Sequence, residues 1–145
     1  MTKAIKDRVV GVWELAEAKI ETPDGKVIEL FGPSPLGLGI ITENGYVSAQ
    51  IMRAGRTKFT RDMPTQEEKQ QAYDDYLAYY GRFSIDEEKG IMTTLVEGAT
   101  NANWLGDEQV RYYEFKGDNY VILRTPPFNR AGLELVGTLA WKRRK

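Results

Sequence analysis

Short apolar runs follow one another along most of the chain, and turn dipeptides separate them. Residues 9–20 are rich in apolar and β-branched side chains and predict a strand. Pro23-Asp24-Gly25 follows, a turn in which Pro presets φ and Gly supplies a positive one. Residues 26–31 predict a second short strand, which Gly32-Pro33-Ser34-Pro35 breaks. Residues 38–42 and 46–52 flank Asn44-Gly45, a strong hairpin signal. Residues 82–86 and 91–98 flank an acidic turn ending in Lys89-Gly90, and residues 109–115 and 120–124 flank Gly117-Asp118. Residues 133–141 complete nine predicted strands.

One segment has a different period. Between residues 65 and 80, Ala72, Tyr73, Tyr76, Leu77 and Tyr80 fall on one helical stripe. Thr65 with Glu68 fits a capping box, and Gly81 fits a helix stop. A helix over 65–80 is expected, its tyrosines packed on the sheet. Residues 54–64 are polar and aperiodic, a loop.

Sequential hairpins make an antiparallel meander, and such a meander must hide its edge strands. The expectation is a mostly β chain: a single antiparallel barrel of 8–10 strands, with the one amphipathic helix inserted mid-chain over a mouth. An eight-stranded barrel has room inside for one small ligand.

Composition narrows the chemistry. At 145 residues the chain is bounded to one domain, residues 1–145. It has no cysteine and no histidine. That removes thiolate and imidazole metal sites, histidine general bases and the Ser-His-Asp triad. No metal and no cofactor are expected, and any reaction would use carboxylate, phenol, hydroxyl, amine or guanidinium. The net charge of −1 lacks the basic excess of a nucleic-acid binder. The tail Lys142-Arg143-Arg144-Lys145 reads as a solvated chain end. No apolar run approaches the roughly 20 residues of a membrane span. With no signal-peptide pattern at the N-terminus either, a cytoplasmic location is expected.

Gly11-Val12-Trp13, near the start of the first strand, matches the Gly-x-Trp signature of lipocalins. A wider pattern runs through 45–53, 76–81, 96–106 and 109–112, and it resembles the bacterial and fungal lipocalin-like domain family over nearly the whole chain. The resemblance implies a small barrel with a cavity. It also implies that Trp13 plugs the closed end and that a basic residue of the last strand stacks on it: Arg143, with Lys142 and Arg144 as competitors. Members often carry histidine in the strand matching 92–96, where this chain has Thr93 and Thr94. A mechanism using that histidine does not apply here.

Strand alternation assigns faces, and a one-residue slip reverses them all. Arg111, Tyr113 and Phe115 share a face, as do Tyr120, Ile122 and Arg124. Tyr46, Ser48, Gln50 and Met52 oppose Val47, Ala49 and Ile51, and Glu97 shares a face with Leu95 and Thr93. A buried arginine needs acceptors, and Glu97 on the preceding strand is its expected partner. Such a pair either only fixes register or anchors a ligand. Glu97, Arg111 and Tyr113 are therefore the candidate chemical groups. Tyr46, Ser48, Gln50, Tyr120 and Arg124 are candidate ligand contacts on strands, and Asn103 and Trp104 are candidates in a mouth loop. Gly37-Leu38-Gly39 reads as close backbone approach in a curved barrel.

Two functions compete. One is binding of a small hydrophobic or amphipathic organic molecule in the barrel. The other is a cofactor-independent isomerase, cyclase, dehydratase or decarboxylase, with Glu97 as base and Tyr and Arg steadying an oxyanion. An interaction module would need a large exposed apolar patch, and a homodimer through a barrel face stays open.

Overall fold

The computed structural model describes residues 3–144. Met1, Thr2 and Lys145, the last residue of the basic tail, lie outside the described residues. A short helix, α1 (Ile5–Val9), leads into β1 (Gly11–Glu21). The strands β2 (Val27–Glu29), β3 (Leu36–Ile41) and β4 (Tyr46–Met52) follow. A second helix, α2 (Gln66–Asp74), precedes β5 (Tyr76–Asp86) and β6 (Ile91–Ala99). After a 3-10 turn (Ala102–Trp104) come β7 (Glu108–Phe115), β8 (Tyr120–Arg124), β9 (Phe128–Arg130) and β10 (Leu133–Arg143).

Eight strands pair antiparallel in the order β1-β3-β4-β5-β6-β7-β8-β10, and β10 pairs back onto β1 to close the barrel. Two short strands lie outside the ring: β2 pairs with β1, and β9 pairs with β10. Closure removes every long unpaired edge. The sequence misses α1 and β9 and starts the first strand two residues early. In the structure Val9 ends the helix.

The largest correction concerns the predicted helix. Thr65 and Glu68 do form the capping box, with Glu68 N donating to Thr65 Oγ1 and Thr65 N donating to Glu68 Oε1. But α2 ends at Asp74, and residues 76–80 begin β5. The tyrosine stripe does not pack a helix on the sheet: no α2 residue is buried, and Tyr73 and Tyr80 are exposed. The pattern that wins has period 2. Leu77, Tyr79, Gly81, Phe83 and Ile85 alternate inward along one strand that the helical stripe had cut in half. Gly81 is no helix stop. A Cβ there would lie 1.9 Å from the Leu95 carbonyl oxygen, at the β-bulge where β5 and β6 change register.

The two ends of the barrel differ. One carries the tight hairpins between β3 and β4, β5 and β6, and β7 and β8, together with α1. The other carries the longer connections, with α2 and the 3-10 turn. Trp13 floors the first end. It is 2% exposed, and its Nε1 donates to Val9 O at 2.8 Å. Arg143 lies over the indole, with its guanidinium carbon 4.3 Å from the ring centroid. It also donates to Val10 O (2.9 Å), Arg8 O (2.6 Å) and Asp118 O (3.2 Å). Gly11 has a φ of 137°, and a Cβ there would lie 2.7 Å from Arg143 Nη1. Glycine at this position is thus required both by backbone conformation and by the passing guanidinium.

Among the three basic residues of this strand end, the stack belongs to Arg143. Arg143→Ala should lower unfolding stability by about 2–3 kcal/mol, the scale of lost charge-assisted hydrogen bonds plus a cation–π contact. Lys142→Ala and Arg144→Ala should stay within about 0.5 kcal/mol of wild type. Urea titration of the three variants checks this.

Candidate functional site

Cross-strand partners share a face, so the register decides which side chains look inward. On β4 these are Val47, Ala49 and Ile51, all at or below 5% exposed. Met92 pairs with Arg111, Tyr113 with Leu123, and Phe115 with Val121. The face of β7 that carries Arg111 and Tyr113 is therefore the inner one.

A hollow of about 40 Å³ remains at the centre. Val9 and Trp13 close it below. Gly39, Ile41, Val47, Ala49, Met92, Val121, Leu123 and Trp141 form its wall, and Tyr79 lies on its rim. The wall is apolar and holds no carboxylate. Tyr79 is half-buried and lines the hollow. Burial pushes its phenol above the usual tyrosine value, and Arg111 nearby offsets this in part. Its ring meets Trp104 edge-on, with centroids 5.6 Å apart at 72°. Trp104 rides on the 3-10 turn, so the pair stands at the end with the long connections.

Arg111 is a half-buried charged group on the inner face of β7, beside the wall residue Met92 and outside the lining of the hollow itself. Burial holds its guanidinium below the usual arginine range, and Tyr79 acts against that shift. Its Nη1 donates to Val110 O (2.8 Å) and its Nη2 to Gln109 Oε1 (3.2 Å). Among the described residues, no carboxylate lies within 4.0 Å of it.

The remaining predicted residues scatter. Glu97 is exposed on the outer wall, so the expected Glu97–Arg111 pair does not form. Its face is the one opposite Thr94 and Val96, and it is the extra β6 residue where Tyr80 pairs with Gly98 and Gly81 with Val96. Tyr46, Ser48 and Gln50 also face outward, since Val47 and Ala49 take the inner positions. Tyr46 accepts from Arg82 Nη2 at 2.7 Å, and Gln50 Nε2 donates to Ser48 Oγ at 3.5 Å. Tyr120 and Arg124 flank inward Val121 and Leu123 and point outward. Arg124 pairs with Glu114 at 2.7 Å, half-exposed, and ties β8 to β7. Tyr113 is inward but lies towards the hairpin end, where its ring meets Phe115 and its N–H donates to Gly90 O. Burial, then Glu87 and Asp86, raise its phenol pKa. Asn103 is exposed, its N–H bound to Asn101 Oδ1. The structure thus places Trp104 and Arg111 near Tyr79, and Glu97 on the outer wall.

A model of the lipocalin-like domain family matches residues 10–144. The chain belongs to the lipocalin-like domain family. No curated protein matches the sequence. Among solved structures, it is similar to a redesigned β-barrel at 9% identity and TM-score 0.45, covering 97% of this chain and 95% of that one. It is also similar to a de novo designed fluorescence-activating β-barrel at 10% identity and TM-score 0.48, covering 99% of this chain and all of that one.

Sequence reading misses Tyr79, Gln109 and Met92 in this lipocalin-like domain. The signal for Tyr79 was the alternation through Gly81. For Met92 it was the pairing of its strand with the Arg111 face. Gly37 does mark close approach in this domain: a Cβ there would lie 2.8 Å from Gln50 O.

The mouth connection between β4 and β5 is tied at its neck. Arg53 N donates to Asp75 O, and Arg53 Nε meets Asp75 Oδ1 at 2.9 Å. The Gln71 side chain, then Arg53, hold the Asp75 carboxyl below its ordinary range. A depressed carboxyl adds stability above its unfolded pKa and loses it as pH falls through the folded value. The stability gap between wild type and Asp75→Asn should therefore be constant from about pH 5 to 7 and shrink below about pH 4. Urea midpoints across that range measure it.

Proposed function

We propose that this lipocalin-like domain binds a small, partly hydrophobic organic molecule inside the barrel. One observation carries the reading. The interior is walled by apolar side chains, several of them small, and is not filled. A barrel built for stability alone fills its centre with layers of large side chains. Here Gly39 and Ala49 sit on the wall, and an apolar space remains under a rim of Tyr79 and Trp104.

That space, about 40 Å³, is smaller than the roughly 150 Å³ that accepts a benzene-sized guest. The guest therefore enters as the rim opens. Trp104 sits on a short turn whose other residues are exposed, and it meets Tyr79 only edge-on. An aromatic contact of that type is worth about 0.5–1.5 kcal/mol, a modest barrier to displacement.

The acid–base alternative loses its base, because Glu97 is on the outer wall and no carboxylate lines the hollow. No observation in the interior favours catalysis over binding.

Adjacent positions on β4 give the test. Ala49→Leu fills the hollow and should weaken binding of 2-phenylethanol at least tenfold. Gln50→Ala, one residue away but outward, should leave it unchanged. NMR titration measures both. Equal binding by the two variants would show that the ligand does not enter the barrel. The outward position of Glu97 gives a second prediction: Glu97→Gln should leave that binding unaltered as well.

A further inference from the structure

Among the described residues the inward-facing guanidinium of Arg111 has no carboxylate partner, and that has chemical content. Arginine stays charged throughout the accessible pH range and offers five N–H donors. Arg111 commits one to its own strand, at Val110 O, and one to Gln109 Oε1. Three donors are left. A buried cation without a carboxylate is costly, so proteins that keep one usually give it a partner. None of the described carboxylates is within 4.0 Å. No aromatic face supports it either: among the described residues the cation–π contacts belong to Arg8, Arg56, Arg82, Arg130 and Arg143.

The surroundings of Arg111 share its polarity. Gln109 uses its carbonyl oxygen on Arg111, which leaves its amide N–H groups as donors. Tyr79, held as a neutral phenol, carries a hydroxyl donor. The apolar hollow beside them contributes no acid. A donor-rich site of this kind repels an amine and welcomes an acceptor of full negative charge.

We infer that the ligand is an organic anion: a compact hydrophobic body bearing one carboxylate or comparable oxyanion, with Arg111 as its counter-ion and Gln109 and Tyr79 as further donors. This rests on the reading that the barrel interior is a binding site, and it adds the chemical class. The guanidinium is directed towards the mouth by its bond to Gln109, which precedes it on the strand that runs inward from the mouth. The anionic group would thus sit above the apolar floor, and the hydrophobic part would lie against Met92, Ala49 and Val47.

The test uses two probes with one carbon skeleton, phenylacetate and 2-phenylethanol, titrated by NMR into wild type and Arg111→Met. Wild type should bind phenylacetate at least tenfold more tightly than the alcohol. Arg111→Met should abolish that preference while still binding the alcohol, and it should unfold at the same or a higher urea concentration. Equal affinity of wild type for both probes would overturn the inference while leaving the barrel as a binding site. Binding of neither probe would overturn both readings. A variant that unfolds, or that loses stability, would assign Arg111 a structural role and also overturn the inference. Arg111→Lys gives a second readout. It keeps the charge without the planar fork, and should retain a reduced preference for phenylacetate.

Discussion

The closure of β10 onto β1 is the constraint on which the rest of the structure depends. Without it the meander is an open sheet with two long edges and no inside. The contact that fixes it is local and specific: Arg143 at the end of the last strand lies over Trp13 near the start of the first. The same guanidinium donates to three backbone carbonyls, from α1, its exit and the β7–β8 hairpin. The sequence ends of the barrel are thereby held together and one mouth is sealed. Sealing one end places the apolar hollow on a floor instead of in a tunnel.

This division explains how unevenly the sequence could be read. Strand existence was legible because apolar runs and turn dipeptides are local signals, and β4 and β8 have the predicted bounds. The Trp13–Arg143 plug was legible through resemblance. The inner face of β4 was also present in the sequence, since Val47, Ala49 and Ile51 are apolar and Tyr46, Ser48 and Gln50 are not. Polarity suggested chemistry for the second set, while burial selected the first. Glu97 failed for a reason of register: the β5–β6 bulge cannot be seen from one strand, and the arginine's supposed partner lies on the opposite side of the wall.

Residues 76–80 show the limit of periodicity. Five of the aromatic or apolar residues between 72 and 80 satisfy a helix stripe, yet only Ala72 and Tyr73 lie in α2, and from residue 76 strand alternation takes over once Gly81 is read as a tight strand contact. The helical capping box was real, and the helix it starts simply stops earlier. Tyr79 moved from a helix edge to the rim of the cavity as a result. With no histidine in the chain, the Arg111 guanidinium is a charged group on the inner face of β7, next to the wall residue Met92.

On the proposed reading a small molecule meets this protein at the inner face and not at the outer wall. Chemical-shift mapping with phenylacetate tests it most directly. The Ala49 and Met92 methyl groups, the Trp104 indole and the Arg111 Nε–H should shift together along one saturation curve, while the outer Tyr46, Gln50 and Glu97 stay still. Shifts concentrated on Tyr46, Gln50 and Glu97, with the inner methyls unmoved, would contradict it.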